Sequence, residues 1–310
     1  MLLLFGFAST GQIGGASTGQ IGDAGTLAAT LGLSAGGTHS CGVTNAGEGQ
    51  CWGNNNDGQT NVPSGHSWTT ISAGYYHTCG VTTLNEGLCW GQSSDGKTTV
   101  PSHTWMMISA GESHSCGVTT LNELICWGSS SSAQTTVPPG HTWTMVSAGQ
   151  AHTCGVTTSN VGLCWGLNSN GEATVPSGHA WTMISAGLRP YTCGVTTSNE
   201  ALCWGRADVG RTIVPSGHTF TMITAGGAHT CGVTTQNAAL CWGDTYYSQS
   251  TVPSGHSSWA TISAGDGHTC GVTSLGEGLC WGYTNYGMST VPTGQTWATV
   301  FSMIPPSPPP

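Results

Sequence analysis

The sequence predicts an all-β protein, a seven-bladed β-propeller with about four strands and one intra-blade disulfide per repeat, on three observations. Fourteen cysteines fall in seven pairs with nine residues between the members of each pair, and every second cysteine is followed by Trp-Gly. The block returns every 37 to 39 residues. Each copy is strand-rich and punctuated by Gly, Pro, Ser and Asn, and seven tandem copies of such a unit imply a ring or a solenoid. A linear stack would need polar end caps, and none is visible in the sequence.

The hairpin of each copy can be read residue by residue. In SAGYYHTCGVTTLNEGLCWG, residues 72 to 91, the strand-type segments HTCGVT and EGLCWG flank a short loop. Its third position is Gly47, Asn85, Asn122, Asn160, Asn199, Asn237 or Gly276 in the seven copies. Gly and Asn enter the left-handed backbone region most readily, as a three-residue hairpin loop with an exit bulge requires. With Thr83, Leu84 and Asn85 as the loop, Thr82 faces Glu86 and Cys79 faces Cys89, at a pair outside the ladder hydrogen bonds where side chains sit closest. A cross-strand disulfide is therefore expected in every copy: Cys41/Cys51, Cys79/Cys89, Cys116/Cys126, Cys154/Cys164, Cys193/Cys203, Cys231/Cys241 and Cys270/Cys280. Chain entropy gives about 3 kcal/mol for a loop of this size.

A metal site competes for the same residues, because His77, Cys79 and Cys89 project from one face of the hairpin as a zinc-like set. The tight cysteine spacing of structural zinc sites is missing. In the fifth copy Tyr191 replaces the histidine while Cys193 and Cys203 remain. The expectation is accordingly seven disulfides, no metal and no cofactor, in an oxidising compartment.

After each CWG come a polar loop, a short strand such as TTVP, a GH turn and an apolar strand such as WTTI. Strand alternation places Leu88 and Trp90 opposite the disulfide face, so each sheet is apolar on both sides and must be sandwiched between others. Seven sheets arranged radially satisfy this while leaving few open edges.

The SAG-x-x-H-T-C-G-V-T and C-W-G-x-N signatures resemble the repeats of the regulator-of-chromosome-condensation family, over about residues 34 to 303. The resemblance implies a seven-bladed propeller. The family includes a nuclear guanine-nucleotide exchange factor and secreted β-lactamase inhibitors, so it does not fix a function. This chain departs from the nuclear member in its cysteine pairs and its near-absence of basic residues, and exchange and chromatin binding are not carried over.

Two segments compete to begin the first blade. TWATV at 296 to 300 is an eighth copy of the strand preceding SAG, whereas LAATLGL at 27 to 33 is a poor copy without an aromatic residue. The C-terminal strand, 296–301, is expected to complete the first blade and close a propeller spanning 34–303. Residues 1–33 then form a low-complexity arm, with ASTGQIG at 8 to 14 repeated at 16 to 22, and residues 304–310 a Pro-rich tail expected to be polyproline II. The opening MLLLFGFA is apolar like a signal core but short and without a basic start.

Only four basic side chains accompany 13 acidic ones in 310 residues. That balance argues against nucleic acid or an anionic membrane as partner, and no apolar run approaches the roughly 20 residues of a membrane span. No Asn-x-Ser/Thr sequon occurs, so any glycans are expected to be O-linked. Six histidines precede the first cysteine of their copies (His39, His77, His114, His152, His229, His268) and six lie in the GH turn or its equivalent (His66, His103, His141, His179, His218, His256). A residue repeated around a ring reads as structural, and the first series is expected to satisfy backbone groups of the adjacent turn. No unique acid, base or nucleophile stands out, and no enzyme is expected. The fifth copy alone breaks the symmetry, gathering Arg189, Tyr191, Arg206 and Arg211 as a candidate interface. The expected role is an extracellular structural protein, the repeating subunit of a surface filament, appendage or matrix that self-associates into a homopolymer. A secreted glycan- or protein-binding module, such as a lectin, adhesin or enzyme inhibitor, is the alternative. Tyr75, Tyr76, Tyr246, Tyr247, Tyr283 and Tyr286 are its aromatic candidates.

Overall fold

The computed structural model describes residues 32–299. The expected arm, up to residue 31, and the Pro-rich tail lie outside the described residues. Seven three-stranded antiparallel sheets follow one another in the chain, each built of an inner, a middle and an outer strand. In blade II these are Trp68–Ala73, His77–Thr82 and Gly87–Gly91. Blade I begins with the shorter inner strand Leu33–Ala35, and blade VII comprises Trp259–Ala264, His268–Thr273 and Gly278–Gly282. Among the described residues no helix is long and apolar enough to cross a membrane.

Blades have three strands rather than four. The segment expected to be the fourth turns its N–H groups inward on itself: Asn61 donates to Gly58 O at 3.0 Å and Val62 to Thr60 O at 3.0 Å, and Pro63 has no donor. What fixes this segment is a carbonyl three residues before each Val-Pro. Gln59 O accepts Trp90 Nε1–H at 2.9 Å and Thr78 Oγ–H at 2.7 Å, both from the next blade.

The hairpin register follows the sequence, with Cys79 directly opposite Cys89 and Asn85 at φ 62°, the left-handed conformation the loop requires. All seven expected bridges form: Cys41 to Cys51, Cys79 to Cys89, Cys116 to Cys126, Cys154 to Cys164, Cys193 to Cys203, Cys231 to Cys241 and Cys270 to Cys280. Their Cα atoms are 4.0–4.1 Å apart. The two sulfurs of a bridge are not equivalent. The middle-strand members, Cys41, Cys79, Cys116, Cys154, Cys193, Cys231 and Cys270, are completely buried. Their outer-strand partners, Cys51, Cys89, Cys126, Cys164, Cys203, Cys241 and Cys280, are only half-buried. Strand alternation alone does not distinguish the two members, but position in the sheet does: the middle strand is flanked on both edges and the outer strand on one.

Seven apolar clusters fill the seven spaces between sheets. The cluster between blades I and II joins Cys41 and Val43 to Trp68, Ile71 and Ala73. The one between blades VII and I joins Cys270 and Val272 to Leu33, Ala35 and Trp297. Within each blade an inner-strand aromatic tilts against the outer-strand Trp, as Trp68 does on Trp90 with ring centroids 5.4 Å apart.

Closure uses both competing segments. In blades II to VII the inner strand carries a register shift after its first residue, between Trp68 and Thr70 in blade II. In blade I the strand is divided at that point. Trp297 bridges Thr44 as Trp68 pairs with Thr82, and packs on Trp52 at 5.5 Å. Leu33, Ser34 and Ala35 then pair with Gly42, Cys41 and Ser40. The two segments meet where Ala298 N–H donates to Val43 O and Val43 N–H donates to Gly32 O.

Candidate contact face

Every junction between neighbouring blades is tied by hydrogen bonds that repeat around the full circle. One circle lies at the mouth of the channel, on the turns joining inner to middle strands. Gly37, Tyr75, Glu112, Gln150, Leu188, Gly227 and Asp266 each donate N–H to a glycine carbonyl of the next blade, at 2.9–3.1 Å, and the last donates back to Gly36 O. The acceptor glycines cannot carry a side chain: a Cβ on Gly149 would sit 2.7 Å from Gly187 O. A second circle joins inner strands, as Ser34 Oγ accepts Ala73 N–H at 3.0 Å and Ser263 Oγ accepts Ala35 N–H at 3.0 Å.

The first histidine series forms a third circle, and its partners are not the backbone groups expected from the sequence. His39 Nε2 meets Thr78 Oγ at 2.7 Å, His77 meets Ser115 at 2.8 Å, and His268 of blade VII meets Ser40 of blade I at 2.8 Å. Each hydroxyl spends its single proton on a loop carbonyl, so the imidazole donates from Nε2. Nδ1 of His39, His77, His114, His229 and His268 has no partner. Burial holds His39, His77, His114 and His229 down to about 3, and His152 and His268 to about 4. The hydroxyl of the next blade is thus the Nε2 partner of each imidazole in the circle. Neighbouring thiols are consumed as disulfides.

In blade V Tyr191 takes the histidine's place, its hydroxyl donating to His229 O at 2.6 Å. Of the four residues expected at an interface, two are interior. Tyr191 is fully buried and Arg211 is 4% exposed, with its guanidinium 5.2 Å from the Tyr191 ring, 2.6 Å from Asp208 and 2.7 Å from Gly227 O. Arg211 occupies the buried loop position filled elsewhere by Gln59, Lys97, Gln134, Glu172, Gln249 and Met288. The signal was present, since each lies three residues before Val-Pro. Arg189 and Arg206 remain about half-exposed, paired with Asp266 at 3.3 Å and Asp208 at 2.9 Å.

The pairing of Arg189 with Asp266 joins blade V to blade VII over the channel mouth, and Tyr75 of blade II adds its hydroxyl to the other Asp266 oxygen at 3.4 Å. Burial first, and then the Asp266 charge, raise the Tyr75 hydroxyl to about 12. Beyond Tyr75, the same face carries Tyr76 on an inner-to-middle turn and Tyr246, Tyr247, Tyr283 and Tyr286 on the loops leaving the outer strands of blades VI and VII. Six of the chain's seven tyrosines thus share one face. Tyr247 stacks on Tyr283 with centroids 4.5 Å apart and meets Tyr246 edge-on at 4.7 Å. Gly267 lies under this pair, where a Cβ would be 3.4 Å from the Tyr283 side chain. Tyr246 is 80% and Tyr286 61% exposed. A polar depression of about 280 Å³ on the same face, between blades III and IV, is lined by Glu112, Ser129, Ser131 and Gln150.

The regulator of chromosome condensation (RCC1) repeat matches residues 68–97, 108–134 and 221–249. Among solved structures, the ectodomain of the Physcomitrella patens receptor kinase CR4 superposes with a TM-score of 0.69 at 24% identity, over 81% of this chain and 72% of that one. The CRINKLY WD40 ectodomain of the Arabidopsis thaliana receptor kinase ACR4 gives 0.70 at 22%, over 82% and 96%. Prp20p from Saccharomyces cerevisiae, described with its binding to Gsp1p and histones, gives 0.63 at 14%, over 75% and 80%. These likenesses establish the fold. No curated protein matches the chain significantly.

Proposed function

We propose that this chain, a propeller built from repeats of the regulator-of-chromosome-condensation type, is an extracellular binding module that presents its tyrosine-bearing loop face to a protein or glycan. The gathering of six tyrosines on one face carries this reading. Tyrosine supplies large contact area with a polar tip and is enriched where interfaces concentrate their energy. Loops on a rigid scaffold are the usual seat of recognition, and here each supporting sheet is closed by a disulfide. The extracellular assignment rests on seven bridges with no cysteine left over. No catalytic role is proposed.

A role as the repeating subunit of a surface filament or matrix is the second reading. It is favoured by the small share of charged side chains, 5% of the chain. The test is binding of the labelled full chain to arrays of glycans and matrix proteins, compared with the double variant Tyr247→Ser/Tyr283→Ser. Signal lost in the variant supports the tyrosine face, and equal signal from both proteins defeats it.

A further inference from the structure

We infer that the turns Pro63-Ser64-Gly65, Pro176-Ser177-Gly178, Pro215-Ser216-Gly217, Pro253-Ser254-Gly255 and Pro292-Thr293-Gly294 are O-glycosylation sites, each hydroxyl carrying a pyranosyl unit. The inference rests on the extracellular reading of the chain and adds a modified surface apart from the tyrosine face.

The first observation is the geometry of the turns. Ser64, Ser177, Ser216, Ser254 and Thr293 are all exposed, and each is followed by a glycine in the left-handed region, at φ 79–91°. Each is preceded by Val-Pro. Proline fixes its own φ and holds the valine before it extended, so the hydroxyl stands at the end of an extended segment. A Cβ added at any of the five glycines would meet nothing within 4 Å, so the turn is open beyond the hydroxyl. A glycosyltransferase must seat its acceptor in a cleft, and an extended segment ending in an open turn can enter one. Ser and Thr beside proline are also the composition on which O-glycans are carried.

The second observation is that hydroxyls at other repeat positions are already engaged. Thr104 pairs with Thr120 at 2.6 Å and Thr142 with Thr158 at 2.6 Å. Thr78 donates to Gln59 O, and Ser72 accepts Ala110 N–H at 3.1 Å. The threonine two residues before a proline lies in a closed turn, as Thr251 N–H donates to Ser248 O at 3.0 Å and Thr290 N–H to Gly287 O at 2.9 Å. Two turns of the ring depart from the pattern. Pro139 stands where the serine would be in Pro138-Pro139-Gly140. In Pro101-Ser102-His103 the glycine is missing, and His103 N–H closes the turn on Pro101 O at 3.0 Å.

The third observation is what the sugars would cover. Charged side chains make up 5% of the chain, and a neutral polar surface is poorly protected against self-association. The turns sit beside the hairpin loops: His66, next to Gly65, is 3.9 Å from Glu86, and His256, next to Gly255, is 3.5 Å from Glu277. That is the end of the sheets away from the tyrosines, so sugars there shield the ring and leave the contact face open. In the transfer, the hydroxyl oxygen attacks the anomeric carbon of a nucleotide-activated sugar. The bond from that carbon to the nucleoside diphosphate breaks, the diphosphate leaves with the electron pair, and the hydroxyl proton passes to a base of the transferase.

The test is mass spectrometry of the full chain isolated from the organism that makes it, with disulfide mapping on the same sample. Chymotryptic peptides fragmented by electron transfer should place a hexose or N-acetylhexosamine on Ser64, Ser177, Ser216, Ser254 and Thr293, and none on Ser102 or on the peptide across Pro138–Gly140. Ser64→Ala, Ser177→Ala, Ser216→Ala, Ser254→Ala and Thr293→Ala combined should remove nearly all the sugar released by alkaline β-elimination. Circular dichroism and melting of that variant should match those of the unglycosylated wild type, because the replaced hydroxyls are exposed. Bare hydroxyls at the five turns, sugar spread evenly over serines and threonines of other loops, or an unchanged sugar content in the variant would each overturn the inference. Seven bridges with bare turns sink the sites alone and leave the extracellular reading standing, whereas free thiols with bare turns remove both.

Discussion

Lowering the pH from 6.5 to 5 should strip this protein of much of its stability while every disulfide stays intact. The perturbation acts on the six histidines of the third circle. In the folded ring they remain neutral down to about 3 or 4, whereas an unfolded chain protonates them near the ordinary histidine value of 6.5. Protons thus bind the unfolded chain first. Stability is complete above pH 6.5, falls as the pH drops through the interval down to 4, and levels off once the folded imidazoles also titrate. Each histidine contributes about 1.4 kcal/mol per pH unit inside that window, so six together lose on the order of 10 kcal/mol between pH 6.5 and 5. That is comparable with the whole stability of an ordinary domain. The assay is guanidinium unfolding under non-reducing conditions at half-unit steps of pH, with the free energy plotted against pH. The slope near pH 5.5 should correspond to uptake of about six protons on unfolding, and His114→Gln should lower it by about one proton. A flat profile between pH 6.5 and 5, or an uptake of one proton or fewer, would refute the neutral Nε2–H circle.

Three further perturbations probe other parts of the ring. Trp297→Ala empties the site between blades VII and I, where Trp297 is 1% exposed, and should cost about 3–5 kcal/mol in denaturant unfolding. Gly149→Ala drives a methyl group into Gly187 O of the next blade, and a loss of about 1–3 kcal/mol is expected, read as a lowered melting temperature. Replacing Cys154 and Cys164 together by serine should cost about 3 kcal/mol, and non-reducing peptide mapping of the wild type should recover seven bridges of ten-residue separation.

Local features of this protein could be read from its sequence, and features that depend on a neighbouring blade could not. The hairpin register, the left-handed Asn85 and the pairing of Cys79 with Cys89 are decided within twenty residues, by turn chemistry and strand alternation. The partner of His77 is different in kind. It is Ser115, 38 residues away, and nothing in HTCGVT shows that the imidazole points across a junction rather than at its own turn. Arg211 misled for the same reason, since a cation in a polar loop reads as exposed until Asp208, Tyr191 and Gly227 O surround it. The fourth strand failed on backbone accounting, because the polar loop satisfies its own N–H groups before it can join a ladder. Two segments were seen to compete for blade I, but their sharing of one strand becomes visible only once the register shift after Trp68 marks the place where a strand can be cut.

The divided strand of blade I also has a mechanical meaning. Gly32 and Ala298 are in contact, so the segments leading away from the ring depart from a single spot rather than from opposite sides. A pull applied to both ends enters and leaves through that spot, and the remaining six blades carry none of the load. The molecule behaves as a bead tied at one point of its hoop, whose weakest element under tension is the join itself, where Trp297 and Leu33 lie end to end.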